Sequence, residues 1–320
     1  MRSVLFALLP ASLFAQAALY TCVSNTRDYV VGAKLPASGL FVKDGGWRHV
    51  GYNHPLLFGL DYDASAIYLA AGNGLIQASE HGAKWKILTG SDVTELRDVA
   101  VDRNAPPGTI YFAYSHGIRV TRDGGLTWKE LGGGLHRKFT EALRVDRAKV
   151  GVLLAGGEEG IFRSADSGEH WTLAGASGFQ ISHIEQSPHV ACEWLATTQG
   201  GGLFGSTDCG KSFENVGGRM GLGNNLYDVA FDPFDAKRIA VAGWGPGVTV
   251  SEDRGKTWHP RNGGLPVPQA ISIVFDPETK GRLYVSIHDE ALYVSNDTGI
   301  HWMKDGLDGT AVTRMRFVPK

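Results

Sequence analysis

The stretch Ser251-Glu-Asp253-Arg-Gly255-Lys-Thr-Trp258 decides the fold, because its pattern recurs along the chain. Ser164-Ala-Asp166-Ser-Gly168-Glu-His-Trp171 and Ser295-Asn-Asp297-Thr-Gly299-Ile-His-Trp302 repeat it in full. Thr121-Arg-Asp123-Gly-Gly125-Leu-Thr-Trp128 and Ser206-Thr-Asp208-Cys-Gly210-Lys-Ser-Phe213 are close variants. Ala78-Ser-Glu80-His-Gly82-Ala-Lys-Trp85 is weaker, and Lys43-Asp44-Gly45-Gly46-Trp47 lacks residues. The closing aromatics are spaced by 38, 43, 43, 42, 45 and 44 residues. A period near 43 with β-branched and aromatic segments of period two is that of a four-stranded propeller blade.

Each unit reads alike. Strand A resembles Leu226-Tyr-Asp-Val-Ala-Phe231 and is followed by Asp232-Pro233. Strand B resembles Arg238-Ile-Ala-Val-Ala242, and strand C resembles Gly247-Val-Thr-Val-Ser251. The box turns the chain, and Trp258 opens strand D. The Asp carboxylate suits the amides of its own turn, the Gly supplies a positive φ, and the Ser or Thr hydroxyl adds a local bond. The Trp is an apolar plug between layers. All of these demands concern the folding of a hairpin.

The repeat resembles the Asp-box, or BNR, family and covers essentially the whole chain after its first residues. The resemblance implies a β-propeller with the box at the C–D turn, away from the usual ligand face. Members include sialidases, xyloglucan hydrolases, sortilin-type receptors and photosystem II assembly factors. The layout is most similar to the last group, single seven-bladed propellers. By this resemblance Asp123, Asp166, Asp208, Asp253 and Asp297 serve the fold and not an activity. Seven boxes predict seven four-stranded antiparallel blades, an all-β fold. The tail Ala311–Pro319 reads as a strand A that closes onto blade 1, which has a further possible strand at Leu19–Ser24.

Composition agrees. Glycine contributes 43 of 320 residues, against an average of about 7%. The 8 Trp, 10 Tyr and 14 Phe exclude a disordered chain, and a net charge of −2 leaves no footprint for nucleic acid or an anionic membrane.

The first residues carry Arg2, an apolar run from Val4 to Phe14, and Ala15-Gln16-Ala17. This reads as a secretory signal peptide cut after Ala17, leaving residues 18–320 as the propeller, secreted or periplasmic. A membrane anchor is disfavoured, since the run falls short of the roughly 20 residues a span needs.

Cys22, Cys192 and Cys209 make an odd number, so at least one thiol remains unpaired. In the unit's hairpin, Thr198 set opposite Leu203 places Cys192 opposite Cys209, within reach of a disulfide. The alternative is two buried thiols.

The B–C turns and D–A links lie opposite the box and form the candidate ligand face. The B–C turns supply Tyr114, His116, Glu158, Glu159, Gln199, Trp244, His288, Asp289 and Glu290. The D–A links supply His54, Arg137 and Arg219. Tyr114 and Trp244 read as exposed aromatics, and Trp244 in Gly243-Trp-Gly-Pro-Gly247 as a stacking platform or a ring folded over the blade edge. Glu158-Glu159 and Asp289-Glu290 are the acids a glycosidase would need, though acidic turns are common in water. The Arg-Ile-Pro motif of sialidases is missing. Single histidines give no metal motif, and no cofactor is expected. The leading expectation is a monomeric binding or assembly scaffold for a protein or carbohydrate partner. The alternative is an extracellular glycoside hydrolase using face carboxylates.

Overall fold

The computed structural model describes residues 16–25, 38–135, 139–217 and 222–320. They form seven four-stranded antiparallel sheets. Helix among the described residues is confined to the 3-10 turn Glu80–Gly82, the degenerate box of the second blade. Each innermost strand packs against that of the next blade, and Thr310–Pro319 packs against both Ala270–Phe275 and Leu57–Tyr62. The blades therefore stand in a closed ring.

Closure is shared between the chain's two ends. Thr310–Pro319 is the innermost strand of the first blade, and Ala17–Asn25, Gly39–Asp44 and Gly46–Val50 complete it outward. The strand foreseen at Leu19–Ser24 is thus the second strand, with Tyr20 opposite Arg316. Ala17–Asn25 is paired on both sides, and Thr310–Pro319 lines the channel as the innermost strands of the other blades do. The expected cleavage point after Ala17 coincides with the first residue of this strand, whereas residues 1–15 lie outside the described residues.

The core lies between blades. Ala240, Ala242, Val248 and Val250 of the sixth blade pack on Ile273, Phe275, Leu283, Val285 and Trp302 of the seventh. Middle strands are apolar on both faces for this reason; Ile239–Gly243 is buried throughout, whereas the outermost pair His259–Pro260 is exposed. The box Trp links layers: the Trp302 Nε1–H donates to the Arg261 carbonyl of the previous blade at 2.8 Å.

The boxes are wired as their residue types demand. Asp253 Oδ1 accepts from the Ser251 hydroxyl and the Thr257 amide, and Oδ2 accepts from the Thr257 hydroxyl at 2.6 Å. Ser251 Oγ accepts from the Gly255 amide at 2.8 Å. Two successive residues are left-handed, Arg254 at φ +64° and Gly255 at φ +81°. The position before the glycine therefore shares the strain that sequence reading assigned to glycine alone.

In the fifth blade, Thr198 lies opposite Gly202 and Thr197 opposite Leu203, one residue away from the expected register. The Thr198 hydroxyl causes the shift: it accepts the Gly201 amide and donates to the Gly202 carbonyl, closing a tighter turn. Cys192 and Cys209 are nevertheless joined, with a Cα–Cα distance of 3.8 Å. They meet beyond the ladder, whose last pair is Trp194–Ser206. The bridge ties the A–B connection to the box turn, where Cys209 occupies the left-handed position at φ +65° and its amide donates to the Cys192 carbonyl. Cys22 is free and buried, and burial pushes its thiol up to about 12.

Candidate functional site

The central channel has two mouths and a polar waist. Every innermost strand carries a bulge near its start, where the register to the second strand shifts by one residue. The residues at the shifts are Phe58, Arg97, Glu141, Ser182, Tyr227, Ile271 and Thr313. A bulge re-aims a side chain, and all seven line one cavity of about 290 Å³ together with Gln199. This is the mouth on the face of B–C turns and D–A links. The two segment types meet there through isolated bridges, Gln199 with Asn225 and Trp244 with Gln269.

Arg97 lies over the Phe58 and Phe139 rings at 4.9 and 5.1 Å. Burial pushes the Glu141 carboxyl above its usual range. The Ser182 hydroxyl and Arg97 Nε are buried without hydrogen-bond partners. The mouth thus presents cation, acid, hydroxyl and aromatic groups close together.

Below it the waist is built from successive blades. Asp98 Oδ2 accepts from Arg144 at 2.6 Å and from the Leu143 amide. The Arg144 guanidinium reaches His183 Nδ1 at 3.2 Å, and His183 Nε2 stands 3.4 Å from both Glu185 and Asp228. Asp228 accepts from the Ser272 hydroxyl and the Ile273 amide. Arg314 contacts His183 Nδ1 from across the channel and lies 3.8 Å from Asp98. Gly59 supplies the gap in this ring: a Cβ there would stand 2.8 Å from the Asp98 Cα.

Burial pushes the Asp98 carboxyl up, but Arg144, Arg314 and the Leu143 amide outweigh it and hold it below the usual range. Burial likewise opposes the Glu185 charge, yet the His183 hydrogen bond and the Arg144 charge bring it down to about 2. For His183 burial lowers the imidazole, Asp228 opposes this, and the two arginines reinforce it, so the ring is held neutral.

The residues singled out by sequence are dispersed. Tyr114 is only 4% exposed, its hydroxyl donating to the Glu130 carboxylate, so it is not an exposed aromatic. His54 is also buried, with Nε2 2.8 Å from the Asn73 side-chain oxygen. His116 is exposed and hydrogen-bonded to Ser115. Trp244 is 40% exposed, stands edge-on to His288 at 5.3 Å, and tilts toward Tyr227 at 6.5 Å. His288 contacts Asp289 at 3.2 Å. The structure therefore groups Trp244, His288 and Asp289 beside the mouth residue Tyr227. Glu158, Glu159, Asp289 and Glu290 do not line the mouth cavity. Arg137 and Arg219 lie outside the described residues.

Among the described residues no group of three His, Cys, Asp or Glu is placed to hold a metal, and no helix is long and apolar enough to cross a membrane. Sequence reading missed the bulged residues and the waist. Its one available signal was the polar residue that directly follows the bulged one in strand A, Asp98, His183, Asp228, Ser272 and Arg314, on what otherwise reads as an apolar strand.

No protein-family profile matches the chain. No curated protein matches it either. Solved structures do. A GH74 xyloglucanase from Xanthomonas campestris is similar at a TM-score of 0.63 and 19% identity, covering 78% of this chain and 45% of that one. YCF48 bound to D1 peptide is similar at a TM-score of 0.58 and 17% identity, over 78% of this chain and 81% of that one. The extracellular domain of a putative hybrid two-component system from B. thetaiotaomicron gives 0.63 and 13%, over 92% and 40%. This chain spans less than half the length of the xyloglucanase, and at these identities the likeness shows the propeller fold alone.

Proposed function

We propose that this propeller is an exported binding or assembly scaffold that engages a protein partner through the face of B–C turns and D–A links. The observation that carries the reading is the platform of Trp244, His288 and Tyr227 at the edge of a small mouth. An exposed Trp held by glycines and a proline beside a Tyr has the composition of an interface anchor. A mouth of about 290 Å³ is small for a polysaccharide, and the acid pairs of the B–C turns lie outside it. The resemblance to YCF48, whose structure holds a D1 peptide, supports a protein partner; the resemblance to GH74 xyloglucanases supports a glycan and keeps hydrolysis as the competing reading.

Pull-down from the native exported fraction tests it, using the wild type and Trp244→Ala. A partner retained by the wild type and lost by the variant, at unchanged melting, is the expected result. A hydrolysis screen on polysaccharides and aryl glycosides, repeated with Glu159→Gln and Asp289→Asn, tests the competitor. Turnover abolished by either substitution would overturn the scaffold reading.

A further inference from the structure

A second, roomier cavity lies at the other end of the channel, on the box face, where no functional residue was expected. Its volume is about 860 Å³, within the range of ligand pockets. Phe231, Pro233, Phe234, Phe275, Pro277 and Met315 form an apolar wall, and the waist forms a charged floor.

The floor holds more cation than it hydrogen-bonds internally. Arg144 and Arg314 are each 8% exposed, and the Nε of each is buried without a partner. Arg144 has a carboxylate at 2.6 Å, whereas Arg314 has five N–H donors, the imidazole nitrogen of His183, and a carboxylate no nearer than 3.8 Å. Arg147, at the cavity wall, donates to the side-chain and main-chain oxygens of Gln186, and no carboxylate pairs with it among the described residues. Two acids of the cavity are committed elsewhere: Asp228 accepts from two amides and a hydroxyl, and Glu185 faces His183. Glu278 is exposed to solvent.

We propose that this basal cavity binds an organic carboxylate with an apolar body, its acid group at Arg314 and Arg147 and its body against Phe231, Phe234 and Phe275. A carboxylate supplies the bidentate acceptor that a guanidinium fork prefers, and the dry wall strengthens the contact. The site lies on the opposite face from the Trp244 platform and does not depend on that reading.

The probe is 3-phenylpropionate, titrated calorimetrically into the folded chain, with its neutral amide and inorganic phosphate as controls. The acid should bind at least about tenfold more tightly than the amide or phosphate, since amides lack the charge and phosphate lacks the apolar body. Arg314→Gln should abolish this preference. If that variant does not fold, the exposed pair Arg147→Gln and Phe234→Ser should each weaken the acid by about threefold or more, and Trp244→Ala should leave it unchanged. Equal binding of acid and amide, indifference to both rim substitutions, or no binding at about 10 mM probe would each overturn the proposal.

Discussion

Arg144 and Asp98, contributed by neighbouring blades, lie 2.6 Å apart at the waist of the channel, and Asp98 is only 1% exposed. A buried pair of this kind is costly to break from one side, because the remaining charge stays buried without its partner. Asp98→Asn should lower stability by about 3–5 kcal/mol, read as a lower denaturant midpoint at unchanged slope. Replacing both partners, Asp98→Asn with Arg144→Met, should recover part of the loss. A single substitution that moves the midpoint no more than a surface change would show that the waist does not anchor the ring.

His183 gives the fold a pH dependence whose sign is set by burial. The imidazole faces Arg144, Arg314, Glu185 and Asp228, and its folded-state value lies below the ordinary one. A lowered histidine stays neutral in the native state while the unfolded chain takes up a proton below about pH 6.5. Its contribution is therefore complete above pH 6.5 and declines as pH falls below that value. Glu185, near 2, remains ionised throughout this window. His183→Gln should flatten the slope of stability between about pH 6.5 and 5, measured by denaturant midpoints. An unchanged slope would assign the titration to other groups.

The blade count was legible because Trp128, Trp171, Phe213, Trp258 and Trp302 mark a period that a hairpin repeat must keep. The channel was not, and the reason is physical. Period-two reading assigns Tyr227 and Asp228 to opposite faces of one strand, but the bulge inserts a residue, so both line the mouth cavity. Arg144 lies three residues after its strand's bulge and Arg314 directly after its own, and both reach His183 only because the ring closes. The turn residue Tyr114 looked exposed because a B–C turn normally is; its pairing with Glu130 sixteen residues away folds it inward.

The cysteines should separate into two classes. The bridge closes a loop with a sequence separation of 17, and a loop of that size contributes about 3 kcal/mol by the chain-entropy account. Reductant should lower the melting temperature accordingly. Cys22 is fully buried with its thiol near 12, so it should resist alkylation in the native state. Intact mass after alkylation should show no added group on the folded protein, one after denaturation without reductant, and three after denaturation with it. Three groups before reduction would refute the bridge.

The boxes should act on the fold and leave binding alone. The Thr257 hydroxyl and amide bring the Asp253 carboxyl down to about 2, with Ser251 adding a further bond. A carboxylate lowered in the folded state stabilises it above the unfolded value near 4, and that contribution fades as pH falls from 4 toward 2. The group is exposed to water, so the effect is moderate. Asp253→Ala removes the acceptor for the Thr257 amide and frees the left-handed Arg254-Gly255 turn. We expect a fall in melting temperature of roughly 3–8 °C at neutral pH, and a smaller one at about pH 2.5, where the wild-type carboxylate is partly protonated. Partner retention at the Trp244 platform should be unaltered, since the box and the platform lie at opposite ends of the blade. Loss of retention with unchanged melting would instead make the box part of a binding site.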